Sequence, residues 1–151
     1  MDKLVMAIAT GFYSGYMPKA PGTTGTLVAF PIHFVILMLP GNGYYLALAA
    51  ILMLAIITAG MAEKIIDRQD PGMVVIDEII GMLIGLIAVP LTLPALATAF
   101  LLFRIFDIWK PFPISWLDNH LHGGTGIVLD DVMAGIYTLV CMQGLIYLAV
   151  F

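Results

Sequence analysis

Asp77-Glu78, Asp107 and Asp130-Asp131 are the residues of this chain whose types and spacing could do chemistry. Each lies within or beside a stretch that is otherwise apolar, where an ionised carboxylate costs on the order of 2.5 to 3.5 kcal/mol by insertion scales. Ten of the sixteen charged residues gather in the same places: Asp77 and Glu78; Arg104, Asp107, Lys110 and Asp118; Asp130 and Asp131; and the Glu63, Lys64 loop pair. Carboxylate oxygens with no Cys or His cluster at zinc spacing suit a hard divalent cation, Mg²⁺ or Mn²⁺. Such an ion keeps several waters and takes one or two carboxylates together with phosphate oxygens. Held there, it would polarise a phosphate and lower the pKa of a bound water. Fixed positive charge for a phosphate is at hand in Arg104, Lys110 and Lys19. Arg104 and Asp107 are three residues apart, as are Asp107 and Lys110, so each pair shares a helix face. The same charges could bind phosphate or keep one another neutral.

Two glycine-rich loops offer backbone donors: PKAPGTTGT (18–26) and HGGTG (122–126). Neither is a Walker loop. The second runs into the stretch carrying Asp130 and Asp131, and a helix N-terminus favours an anion. The hydroxyls of Thr23, Thr24 and Thr125 could meet phosphate or simply cap helices. His122 could donate to phosphate or protonate a leaving alkoxide. His120 is expected to be solvated, and His33 to be a satisfied buried histidine.

The elements that must position these groups are membrane helices. The chain has 151 residues, 62% hydrophobic and 11% charged, with a mean hydropathy of +1.05. A single domain over 1–151 has room for four or five spans of roughly 20 residues each. Apolar stretches at 27–39, 44–62, 74–89, 95–109 and 127–151 predict an all-α polytopic bundle of about five transmembrane helices. The first is interrupted by Pro31 and His33 and could begin at Thr23 or Thr24; residues 4–16 form a further short helix, read as part of the mature protein. The turns at 40–43 and 90–94 carry no charge, whereas all six basic residues fall toward the opposite ends of the helices. The bias of Lys and Arg toward cytoplasmic loops then puts the acids at the cytoplasmic interface. Carboxylates converging at one depth repel one another unless cations stand among them.

Small residues support close packing there: Gly81 and Gly85 are spaced by four, and Ala134 and Gly135 follow Asp130 and Asp131 by four. Trp109, Phe112 and Trp116 read as an interfacial aromatic belt near lipid headgroups. The lone Cys141 reads as a packing residue. A net charge of −4 with no basic stripe argues against nucleic acid as a partner.

At these residues the chain resembles a known family. PKAPGTTGT (18–26), VVIDEIIGM (74–82), FRIFDIWKPFPISWLD (103–118) and HGGTGIVLDDVMAG (122–135) closely resemble the phosphatidylglycerophosphatase A family of bacterial inner-membrane lipid phosphatases. The resemblance implies a Mg²⁺-dependent hydrolysis of phosphatidylglycerol phosphate, with a phospholipid substrate, membrane lipids as partners and a site facing the cytoplasm. The family's motif acids fall on Asp77, Glu78, Asp107, Asp130 and Asp131, with Arg104, Lys110 and His122 beside them. We assign Asp77, Glu78, Asp130 and Asp131 to metal, Glu78, Asp107 and His122 to catalysis, and Arg104, Lys110, Lys19, Thr23 and Thr24 to phosphate. Two other classes predict differently. A cation or proton transporter needs carboxylates spread through the membrane depth, yet 82–89 and 133–151 contain none. An assembly subunit would use the charges only as interhelical ion pairs.

Overall fold

The computed structural model describes residues 1–151, and its regular elements are all helical. Seven α-helices follow in order: α1 (Asp2–Ala9), α2 (Pro21–Ile36), α3 (Gly43–Ile66), α4 (Ile76–Gly85), α5 (Leu93–Trp109), α6 (Ile114–His120) and α7 (Gly123–Tyr147). A single 3-10 turn lies at Ser14–Tyr16, so the short N-terminal helix expected over 4–16 divides into α1 and this turn.

Breakers and caps set the boundaries. Pro21 opens α2, where its missing N–H would have had no helical partner anyway. The interruption expected at Pro31 and His33 does not occur, and α2 continues through both to Ile36. A helix in apolar surroundings keeps every other backbone group bonded within itself, which outweighs the one bond that proline removes. Thr92 caps α5, its hydroxyl accepting from the Ala95 N–H at 3.4 Å. Left-handed residues, Asp67 at φ 53° and Lys110 at φ 47°, end α3 and α5. Glu63 and Lys64 belong to the last turn of α3 rather than to a loop.

Helix α4 is the centre of the fold. Ile76, Asp77, Ile79 to Leu83 and Gly85 are buried; the helix packs most extensively on α7, then on α2, α3 and α5. Its 10 residues make about 15 Å at 1.5 Å per residue, roughly half the hydrocarbon thickness. The stretch 74–89 is therefore a short core helix followed by irregular backbone, with Ala88 left-handed at φ 55°, not one long helix. Ala88 is exposed, and Gln143 of α7 donates to the Ile87 carbonyl at 2.9 Å, so a side chain of a neighbouring helix satisfies a backbone group freed there.

Two helices are long and apolar enough to cross a membrane: α3 with 24 residues and α7 with 25. Only 28% of the apolar window of α3 is buried, so most of its hydrophobic surface faces outward, unlike the core helix of a soluble domain. Helices α2 and α5 are shorter, at 16 and 17 residues.

The α4–α7 seam is closed by glycine. A Cβ at Gly135 would collide with the Gly81 carbonyl oxygen, and one at Gly81 would lie 2.5 Å from the Asp131 carbonyl oxygen. Gly85 meets Thr138 farther along. The close contact expected from these small residues lies one turn from the acids. The start of α2, the end of α3, the start of α4, the end of α5 and the start of α7 all fall at one end of the bundle. The N-terminal segment is tied there by the Val75 N–H, which donates to the Ala9 carbonyl at 2.9 Å.

Candidate active site

Because α4 begins at Ile76, Asp77 and Glu78 occupy its first turn, where free N–H groups favour negative charge. The Glu78 N–H donates to Asp77 Oδ1 at 3.0 Å. Across the glycine seam α7 brings Asp131. Ligand oxygens of Asp77, Glu78 and Asp131 lie within 4.8 Å of one another, with Asp77 and Asp131 buried and Glu78 half-buried. Asp107 of α5 is an electrostatic neighbour of both Glu78 and Asp131.

One guanidinium serves these four carboxylates. Arg104 Nη1 is 2.6 Å from Asp107 Oδ2 and 3.8 Å from Glu78 Oε1, and donates to Thr26 Oγ1 at 3.4 Å. Thr26 in turn donates to the Gly22 carbonyl at 2.8 Å. A Cβ at Gly22 would collide with Glu78 Oε1 and sit 3.1 Å from Arg104 Nη1. The first glycine motif, expected as a loop, forms the opening turns of α2 from Pro21 onward; there Gly22 gives the site room and Thr26 sets its hydroxyl on Arg104. Glu78 Oε2 and Arg104 Nε are buried without hydrogen-bond partners. Hard oxygen donors in negative excess, one of them orphaned, fit a divalent cation of the Mg²⁺ type.

A second charged group lies beside this one. Lys110 follows α5, and its Nζ donates to Asp118 Oδ1 of α6 and Asp130 Oδ2 of α7, each at 2.7 Å. Burial works against the ammonium, but the two carboxylates overcome it and hold Lys110 above its ordinary pKa. Asp118 and Asp130 border a cavity of about 290 Å³ that also receives Glu63, Asp70 and His122. Desolvation in the cavity wall lifts the Asp70 carboxyl above its ordinary range; Lys110 opposes the rise, and Asp118 and Glu63 add to it.

The expected residues therefore divide. Asp77, Glu78, Asp107, Asp131 and Arg104 come together. Asp130 stands outside the three-carboxylate group and pairs with Lys110, its Oδ1 buried and unpartnered. His122 is exposed on the cavity rim, its Nδ1 3.4 Å from Gln69 Nε2. Lys19 is exposed. Thr23 is half-buried, and Thr24 donates to the Ser14 and Pro21 carbonyls at 2.9 and 2.7 Å, tying the first turn of α2 to the 3-10 turn before it. His33 is only half satisfied: Nδ1 is 3.2 Å from the Tyr44 hydroxyl, while Nε2 is buried with no partner. His120 stacks on Trp116 at 4.7 Å. Trp109, Phe112 and Trp116 are exposed. Sequence reasoning missed Thr26 and Gln69. The signal for Thr26 was its place one helical turn after Gly22 in the first motif; for Gln69 there was none, since its link to His122 spans 53 residues.

Comparison with known proteins bears on this arrangement. The family model described as Phosphatidylglycerophosphatase A matches residues 7–146. The chain is 40% identical over 130 residues to the Escherichia coli strain K12 protein of that name, covering 85% of this chain and 76% of the relative. Its identity to the Haemophilus influenzae protein of the same name is 37% over 142 residues, 93% of this chain and 87% of that one. A Bacteroides thetaiotaomicron relative provisionally named a phosphatidylinositol-3-phosphatase is 38% identical over 144 residues, covering 91% and 90%. No solved structure matches the chain.

Proposed function

We propose, from the premise that the chain belongs to the phosphatidylglycerophosphatase A family of phosphatases, that it hydrolyses phosphatidylglycerol phosphate to phosphatidylglycerol and inorganic phosphate with Mg²⁺. The observation that carries this reading is the group of three carboxylates within 4.8 Å at the start of α4, bordered by a guanidinium. Asp77, Glu78 and Asp131 would hold the cation. When bound, Mg²⁺ neutralises phosphate oxygens and lowers the pKa of an attacking water.

The chain's own side chains supply the rest. Arg104 presents a planar fork to the phosphate oxygens, held in place by Asp107 at 2.6 Å and Thr26 at 3.4 Å. Glu78 Oε2 and Asp107 are the acceptors positioned to orient a water and take its proton. His122, on the cavity rim beside Asp130, is the donor for the leaving alkoxide. Lys110 holds Asp130 in place beside Asp131.

The same reading places the protein in a bacterial inner membrane with five crossings, the third made by α4 and the turn after it. Lys19, Lys64, Arg68 and Lys110 cluster at the site end, and the turns at the other end are uncharged, which orients the site to the cytoplasm. The test is phosphate release by purified protein in detergent from phosphatidylglycerol phosphate and from phosphatidylinositol 3-phosphate, with Mg²⁺ and with chelator. Mg²⁺-requiring release that favours the first lipid is expected. Preference for the second, or release indifferent to chelator, overturns the substrate or the cofactor respectively.

A further inference from the structure

Helices α2 and α5 both contribute to the site, through Thr26 and Arg104, yet below that point they part. Between them lies a groove of about 490 Å³ whose lining is entirely hydrophobic. Leu27, Phe30 and Phe34 of α2 form one wall, and Leu96, Ala97 and Phe100 of α5 the other. The Phe30 and Phe100 rings approach to 6.3 Å between centroids. Ala97, Phe100, Leu101 and Arg104 follow at i, i+3, i+4 and i+7, so the guanidinium stands on the same helical stripe as the α5 wall. Leu101 also lines an adjoining recess that Arg104 and Trp109 border. The apolar surface is thus continuous from Phe34 to the charged site.

We infer that this groove holds an acyl chain of the lipid whose phosphate is bound at Arg104. The inference rests on the lipid-phosphatase reading above and assigns the chain-binding half of the same site. A groove fully apolar along its length that leads through the adjoining recess to Arg104 has the polarity of a phospholipid monoester: hydrocarbon first, then phosphate. Its size falls within the roughly 300–1,000 Å³ of small-molecule sites. A second copy of the chain fits less well. Membrane helix seams rely on several small residues for close approach, and this lining has one, Ala97, among seven large side chains. Leu27 and Leu101 are 50% and 59% exposed on its flanks, leaving a lateral way in from the bilayer.

Ala97 is exposed, so Ala97→Trp fills the groove without disturbing the core. The experiment compares phosphate release from dioleoyl and from dibutyryl phosphatidylglycerol phosphate. Each methylene displaced forfeits apolar burial, so kcat/KM on the dioleoyl substrate is expected to fall at least about tenfold. On the dibutyryl substrate it stays within about twofold of wild type, since a short chain leaves the groove unused. Equal losses on both substrates, or no loss on either, overturn the groove. Wild-type protein inactive on both fails the phosphatase reading instead, and the groove is then judged by binding. Phosphatidylglycerol bearing a diazirine on its acyl chain, photolysed with the protein in nanodiscs, is expected to label 27–34 and 96–101, and less so in Ala97→Trp. Labelling spread evenly over the outer faces of α3 and α7 overturns the inference. So does a groove left unlabelled while Ala97→Trp alters the oligomeric mass, which would make a second copy the occupant.

Discussion

The two charged groups at the site end each set carboxylates around a single cation, and they differ in balance and in how much of each group water reaches. Around α4, four carboxylates share one guanidinium, and Asp77 and Asp131 are 7% and 4% exposed. Around Lys110, one ammonium meets two carboxylates, and Asp118 at 39% side-chain exposure has water on its open side. Lys110 bonds both outer carboxylates and water reaches Asp118, although Asp130, 6% exposed, is as buried as the inner acids and keeps one oxygen without a partner. The inner group has neither enough cations nor enough water, and it is there that a hard metal ion lowers the free energy most. Carboxylates gathered around one cation become a site or a brace according to how far that cation and water match their charge.

That contrast can be broken by measurement. The largest effect is expected from Glu78→Gln and Asp131→Asn, which replace inner carboxylates by neutral amides: phosphate release should fall by about a hundred- to a thousandfold, the order seen when a group stabilising the transition state is deleted. Thermal stabilisation of the detergent-solubilised protein by Mg²⁺ should vanish with it. Retention of both would show that the inner group is only a brace. Lys110→Met comes next, leaving Asp130 without its partner. Groups that support metal ligands typically matter by roughly 10- to 100-fold, so activity at saturating Mg²⁺ should recover better than activity at low Mg²⁺. A loss as deep as that of Glu78→Gln, and indifferent to Mg²⁺, would move Lys110 into the inner group. Asp118→Asn should do least, because an exposed pair contributes about 0–1 kcal/mol; activity within about threefold of wild type is expected, and a larger drop would erase the distinction between the two groups.

The acids themselves were readable because charge in an apolar chain is costly, so its presence marks a place without any structure. The glycines were readable for a related reason. A four-residue spacing puts Gly81 and Gly85 on one face, and that face meets Gly135 and Thr138. Helix lengths were less legible. Hydropathy reports how apolar 74–89 is but not where its backbone stops being helical, and after Gly85 a freed carbonyl, that of Ile87, finds a partner in Gln143 of α7. For the same reason Pro31, a breaker by its local chemistry, sits inside α2 without ending it.

Composition and residue order alone determined that the chain is all-helical and apolar, with its charges gathered at one end of the bundle and oxygen ligands suited to a hard cation. These follow from local chemistry: periodicity, transfer cost and donor type. Tertiary structure decided which carboxylates belong together. Asp130 and Asp131 are neighbours in sequence, but successive residues on a helix point about 100° apart. One is therefore turned toward α4 and the inner acids, the other toward Lys110. The α2–α5 groove was likewise decided in three dimensions, because its walls lie some seventy positions apart in the chain and only the packing of both helices around α4 brings them face to face.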